Sequence, residues 1–379
     1  MELKAAIEIV NAHGIEMLDH PEAGIELVAV GSKQGSLVQA TDFCVTAFVK
    51  EKLPIDRLHK HGTFSFSETF SHVTGVKNRR DADLDVVVCG SGFSPYGGLS
   101  VPRIQRGRHG GPVPTCDPQK WFNSLRCGIG IANANGYPDH LTAGTAGFYV
   151  RVRGSHKLYL VSNNHVLARS NQAVLGECIV QPGTLDLSER ELRTIGNQSD
   201  LERALGIAQL KAFASLNFRT PQNLPLNRVD AAIAELLDTE SSGRLHGDLD
   251  RLTYSGGITG VAGSATEDRP VRVHKVGRTT GFTEGEVTHI NGTASIPYDG
   301  GEAYFTEQLV IHPTSDNVGR FSKPGDSGSA VLDERNRLVG LVFAGSQDST
   351  LANPIGLVLE ALEAELAESL EVVYAAKSP

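Results

Sequence analysis

The sequence predicts a mainly β chain in three parts: a small α+β unit over residues 1–92, a Gly/Pro-rich linker over 93–124, and a strand-rich domain with a C-terminal helix over 125–379. Three observations carry this. The 41 glycines come with few long helical patterns, and such a composition favours a turn-rich β fold. From Gly90 to about Pro118 the chain is punctuated by Gly, Pro, Ser and Arg without periodicity, which reads as a linker. Beyond it, short β-branched or aromatic runs bounded by turn residues follow one another to the final helix.

Composition narrows the partners. Hydrophobic residues at 40% and charged residues at 21% are ordinary for a soluble globular chain. The net charge of −9 leaves no strong basic patch, which argues against nucleic acid or an anionic membrane as partner. Arg79-Arg80 and Arg103 to Arg108 read as solvated loop, and no run approaches a membrane span. Cys44, Cys89, Cys116, Cys127 and Cys178 are an odd, scattered set without a CxxC pair. They read as free thiols in a reducing compartment. With Met1-Glu2-Leu3-Lys4 opening an amphipathic helix and not a secretory leader, the expected location is the cytoplasm.

In order, Leu3, Ala6, Ile7 and Val10 have the spacing of a one-sided helix, with Gly14 just after its expected stop. Strands are expected at Gly24–Gly31, Phe43–Val49 and Leu84–Cys89. His59, His61 and His72 fall between the last two; without cysteine or paired carboxylates at ligand spacing they read as surface histidines, and no metal or cofactor is expected. Ala146–Val152 and Lys157–Val161 flank a Gly-Ser-His turn and form a hairpin candidate. Residues 187–215 hold a partly helical insert and a further strand. Asp238–Glu267 reads as a connection between two β halves. Strands resume at Val271–Gly277, Gly285–Ile290, Gln308–Ile311, Ser329–Leu332 and Leu338–Gly345. The run Ile355–Tyr374 is expected to be one helix whose leucines cover the second half.

The chemistry centres on Lys323-Pro324-Gly325-Asp326-Ser327-Gly328-Ser329. Glycines around a serine let its amide and that of Gly325 turn together toward a carbonyl oxygen, making an oxyanion hole. Alone, the stretch reads equally as a Gly-Ser surface turn. Upstream, His165 follows a strand in Ser162-Asn163-Asn164-His165, and Asp230 sits in the apolar run Val229–Leu236. A carboxylate there needs a hydrogen-bonding partner. A serine nucleophile needs a base, and the base needs a carboxylate to hold its tautomer, so His165, Asp230 and Ser327 are the candidate catalytic set. His274, His289 and His312 read as structural, and Asp186, Asp316 and Asp348 as solvated loop residues. Gly277 to Gly281 lacks the ending of a phosphate loop.

These motifs, in this order, resemble those of the chymotrypsin/trypsin-like serine peptidases. With Lys275-Val276-Gly277-Arg278-Thr279-Thr280-Gly281, Val339–Ser346 and Lys50-Glu51-Lys52-Leu53-Pro54, the chain is similar to a bacterial intracellular branch that includes the plant NARROW LEAF 1 proteins. The resemblance implies a chymotrypsin-like double β-barrel with the triad between barrels, and hydrolysis of peptide bonds in a protein or peptide substrate. It implies that Gly325 and Ser327 donate oxyanion-hole amides, that Phe343-Ala344-Gly345 pair with an extended substrate, and that Phe321, Ser322 and Gly345 line the specificity pocket. Phe321 stands where a trypsin-like enzyme has aspartate, and Val342 and Phe343 lack the histidine of glutamate-specific relatives, so a small or apolar residue is expected before the cleaved bond. The sequence has no Arg/Lys-Ile-Val-Gly-Gly activation site; Arg126-Cys127-Gly128-Ile129 is a poor match. Control by a partner, an oligomer or the N-terminal unit is the working alternative, and self-processing within Gly110–Cys116 is a further one. The competing reading is a non-catalytic peptide-binding or scaffolding module on the same fold, assembled through its N-terminal unit.

Overall fold

Six strands in the C-terminal half close into a ring. Arg272–Gly277 pairs with Gly281–Tyr298, which pairs with Gly301–Pro313; Thr350–Pro354, Arg337–Gly345 and Ala330–Asp333 then lead back to Arg272–Gly277. The computed structural model describes residues 1–19, 24–32, 37, 40–50, 84–89, 92–95, 117–238, 240, 245–248, 251–252, 256–263, 272–314 and 319–374. Two of the six strands are far longer than their sequence cores suggest. Asp299-Gly300 is the two-residue turn sequence that favours hairpins, and Tyr298 lies opposite Gly301 across it.

The other half is an eight-stranded antiparallel sheet in the order Leu370–Val372, Phe148–Val152, Leu158–Ser162, Ala232–Leu236, Gly206–Phe213, Cys178–Val180, Gly130–Asn133 and Gly144–Thr145. The expected hairpin is present, with Phe148 opposite Val161. Two short helices, Glu189–Thr194 and Gln198–Leu205, form the insert; Ser188 and Glu191 complete a capping box on the first, satisfying two backbone donors at its start. The mainly β expectation holds.

The N-terminal elements are those expected, a helix and three strands, yet they do not form a free-standing unit. Ile25–Ser32 pairs with Phe43–Val49 on one edge and with the ring strand Gly281–Tyr298 on the other, and Leu84–Val88 runs parallel to Phe43–Val49. Ala6, Val10 and Met17 share one core with Ile311, Phe321 and Val342 of the ring. The helix runs through Gly14 to Leu18. No stop precedes Gly14: a Cβ there would lie 3.1 Å from Thr293 Oγ1, so glycine lets helix and sheet approach closely.

The C-terminal segment also departs from expectation. Its helix covers Ile355–Leu366 and ends at Ala367 in the left-handed conformation, after which Leu370–Val372 joins Phe148–Val152 as a strand. Ile355, Val358 and Leu362 are the buried residues, and their core takes in Ala330, Leu338 and Leu341 of the six-stranded ring as well as residues of the eight-stranded half, so the helix covers the ring as expected and reaches the other half too. Among the described residues no helix is long and apolar enough to cross a membrane. Cys44, Cys89, Cys127 and Cys178 are not in disulfides. Cys116, His59, His61, His72, Asp316, Arg79-Arg80, and Gly110–Cys116 with the rest of the linker from 96 to 116 lie outside the described residues.

Candidate active site

Register places the histidine beside the aspartate. Ser162, the last residue of its strand, pairs with Ala232, so the chain just after Ser162 faces the chain just before Ala232. His165 lies in the short helical turn Asn164–Leu167, and Asp230 lies two residues ahead of its strand. His165 Nδ1 is 2.5 Å from Asp230 Oδ2, and the His165 amide donates to Oδ1 at 3.2 Å. The two side chains are 2% and 0% exposed.

The cost of burying Asp230 is met by a dense set of donors. Tyr298 OH donates to Oδ2 at 2.8 Å. The Asp230 amide donates to Asn353 Oδ1 at 3.0 Å, Asn353 Nδ2 donates to Gln308 Oε1 at 2.6 Å, and Asn163 Nδ2 donates to the Asp230 carbonyl at 2.7 Å. Burial, and then the charge of Asp230, push the Tyr298 phenol well above its usual range, so it keeps its proton and remains a donor.

Ser327 lies in a loop that only glycines can make. Gly325 and Gly328 have φ of +96° and +89°. A Cβ on Gly325 would overlap Thr279 Oγ1, and one on Gly328 would overlap Ser162 Oγ and the Thr145 carbonyl. The loop therefore packs against the strand that leads into His165. Thr145 N donates to the Ser327 carbonyl and Gly328 N to the Val342 carbonyl, each at 2.8 Å. Ser327 Oγ donates to the Phe343 carbonyl at 3.2 Å, while His165 Nε2 is buried without a hydrogen-bond partner. Serine hydroxyl and imidazole are thus not bonded to each other in this arrangement. Among the described residues the Gly325 and Ser327 amides have no acceptor, which leaves two donors at the nucleophile loop.

Asp326 fixes the loop from below. Its Oδ1 accepts from the amides of Thr279 at 2.8 Å and Thr280 at 3.1 Å; its Oδ2 accepts from the Lys323 amide at 2.9 Å, Thr280 Oγ1 at 2.7 Å and Lys275 Nζ at 3.4 Å. Lys275 Nζ also donates to Thr280 Oγ1 and to the Gly281 carbonyl. Burial pulls the Lys275 ammonium below its usual range, with Asp326 opposing.

Of the residues expected to contact substrate, Phe321 turns into the ring's core, with Lys275 Nζ 5.8 Å from its ring centroid. Ser322 Oγ lies 2.5 Å from Thr350 Oγ1. Phe343 stacks at an angle on Phe305, centroids 4.9 Å apart. Ala344 and Gly345 pair with Leu351 and Thr350 on one edge, and with Pro95 and Ser94 on the other.

Asp186 is not a solvated loop residue. Its side chain is 2% exposed and paired with the Arg278 guanidinium, whose Nε lies 3.0 and 3.1 Å from its oxygens. Burial raises the Asp186 carboxyl against the pull of Arg278. Asp348 is exposed. His312 bonds Thr288 Oγ1 and Ser349 Oγ, and His289 bonds the same threonine, which keeps both in the frame of the ring.

No family model and no curated protein matches the chain. Solved structures to which it is similar include Protease A of Thermobifida fusca, at 15% identity and a TM-score of 0.41 over 66% of this chain and 100% of that one. Others are the chymotrypsin of Cellulomonas bogoriensis, at 16% and 0.37 over 66% and 100%, and the Nocardiopsis protease, at 14% and 0.38 over 66% and 98%. At these identities and scores, function has to be argued from the side chains of the site.

Proposed function

We propose that the chain is a serine endopeptidase of the chymotrypsin/trypsin-like type, with His165, Asp230 and Ser327 as its triad. The observation that carries this reading is the buried, unpartnered His165 Nε2. A carboxylate accepting from Nδ1 assigns the imidazole proton to that nitrogen, and Nε2, itself shielded from solvent, is left with a free lone pair. That is the acceptor a serine proton requires.

In the proposed reaction Ser327 Oγ rotates off the Phe343 carbonyl, gives its proton to Nε2 and attacks the substrate carbonyl carbon. The developing oxyanion is met by the Gly325 and Ser327 amides. His165 returns the proton to the leaving amine, and water hydrolyses the acyl-serine by the reverse exchange. Asp230, held by Tyr298 and by its two bonds to His165, stabilises the imidazolium. Phe343, Ala344 and Gly345 would receive an extended peptide backbone, with Ser322 and Phe321 near the residue before the cleaved bond. The four described cysteines, none of them in a disulfide, support a reducing, cytoplasmic setting, and the motif order supports the NARROW LEAF 1-related bacterial branch. An oligomer or partner acting through the N-terminal elements is the proposed level of control.

One observation favours the second reading, a peptide-binding module without turnover: the Ser327 hydroxyl is engaged by Phe343 and not by His165. A fluorophosphonate probe separates the two. Labelling of the wild-type chain that is absent in Ser327→Ala supports the peptidase; no labelling, or equal labelling of both, leaves the binding module.

A further inference from the structure

The sheet edge that would receive a peptide is already taken. Ser94 lies opposite Gly345 and Pro95 opposite Ala344, antiparallel, while Thr350 and Leu351 hold the other edge of the same residues. Extended peptides bind proteins by this kind of strand addition. Proline has no N–H to donate, so Ser94 is the residue able to exchange both ladder bonds, with Gly345.

Two residues of strand are too short to stay in place unaided, and Phe93 anchors them. It is 2% exposed and shares a core with Phe48, Phe305, Phe343 and Ala344, its ring edge-on to Phe48 at 6.4 Å. The segment is delivered from the strand Leu84–Val88 through Cys89, whose amide donates to the Val49 carbonyl at 2.9 Å. Gly92 passes so close to the Lys50–Glu26 ion pair that a Cβ would press on Glu26 Oε2 at 2.8 Å. The next acceptor along the strand, the Phe343 carbonyl, is held by Ser327, which is itself fully buried.

We propose that the Ala344–Gly345 edge and the aromatic socket beside it form a site for an extended peptide bearing an aromatic side chain, and that the chain fills this site with its own Phe93-Ser94-Pro95. The inference rests on the peptidase or peptide-binding reading of the same cleft and names the ligand class and its resident competitor. A ligand tethered in this way competes at an effective concentration of about millimolar, so an outside peptide enters only when the segment is withdrawn. The N-terminal strands, which carry the segment, then govern access to Ser327.

The test uses the full chain as Ser327→Ala, so that no turnover is needed, and a fluorescent peptide containing Gly-Phe-Ser-Pro. Adding Phe93→Ala, or separately Ser94→Pro, is expected to tighten binding by about tenfold or more, because the tethered competitor is weakened. Amide hydrogen exchange at Gly345 is expected to rise in both. The first variant removes the anchor and the second only an amide donor, so loss of folding in Phe93→Ala leaves the question with Ser94→Pro. Unchanged peptide affinity and unchanged Gly345 exchange in folded Ser94→Pro would overturn the proposal. Tighter peptide binding in these variants, together with no fluorophosphonate labelling of the chain that keeps Ser327, would uphold it while removing the peptidase reading.

Discussion

Lys275 Nζ lies 3.4 Å from Asp326 Oδ2, and both side chains are completely shielded from solvent. The carboxylate is adjacent in sequence to Ser327, so this pair couples the ring strand Arg272–Gly277 to the geometry of the nucleophile loop. Replacing Lys275 by Met leaves a buried, uncompensated Asp326, a change that costs about 3–5 kcal/mol in comparable sites. Chemical denaturation is expected to show that loss, and fluorophosphonate labelling of any folded fraction to slow. Wild-type labelling in Lys275→Met would detach the pair from the loop.

Asp230 and Tyr298 act on the histidine at different strengths. Asp230→Asn is expected to lower kcat by roughly 10⁴, since the imidazole then loses its enforced tautomer. Tyr298→Phe removes one hydrogen bond to the charged group, worth about 1.5–3 kcal/mol. The expected result is a fall in kcat of about ten- to a hundredfold with KM nearly unchanged, measured on one peptide substrate. A change confined to KM would place Tyr298 in substrate binding instead.

Gly325 is the position where a single methyl group should be most damaging. With φ at +96° and Thr279 Oγ1 in the way, Gly325→Ala must shift the loop and its amide. Loss of one oxyanion donor lowers kcat by about 10²–10³, and steady-state kinetics should find that loss with KM little altered. Retained kcat would mean that this amide does not meet the oxyanion.

His289 sets an acid limit to stability. Burial first, and then the charge of His312, push its imidazole down to about 3. Thr288 Oγ1 faces both rings, and Phe48 packs on them from the strand Phe43–Val49. Between its folded value and the ordinary histidine value the unfolded chain binds more protons than the folded one. Stability therefore rises with pH across that window and falls on acidification, by about 1.4 kcal/mol per unit where the difference is full. Thermal melts from pH 3 to 7 should show this slope in wild type and a shallower one in His289→Gln; identical slopes would assign the acid limit elsewhere.

Much of the frame was legible because its signals are local. Alternation marked the hairpin that ends at Ser162, a glycine pair marked the Ser327 loop, and an aspartate beside apolar residues demanded a partner that proved to be His165. The supporting groups were hidden because they depend on register. Lys275 sits in a run of valines, where a lysine on a buried strand could have been questioned as Asp230 was. Tyr298, Asn353 and Gln308 carry no local mark; Tyr298 and Gln308 are placed by the long hairpin that turns at Asp299-Gly300, and Asn353 by the neighbouring strand Thr350–Pro354. The shared core of the N-terminal elements was equally invisible, since Ile25–Ser32 reads the same whichever strand it joins. Asp186 looked like loop because its cation, Arg278, belongs to the other half of the chain.

The pairing of Val30 with Ile290 has a meaning for biosynthesis. The first strands leave the ribosome long before the strand that completes their sheet, carrying an unfinished edge and an apolar helix face. Contacts this distant in sequence slow folding, because the chain entropy is lost before the pairing is gained. Through that interval the nascent chain is exposed to aggregation, while the nucleophile loop, wedged between both halves, is assembled only after the strands of both have been made.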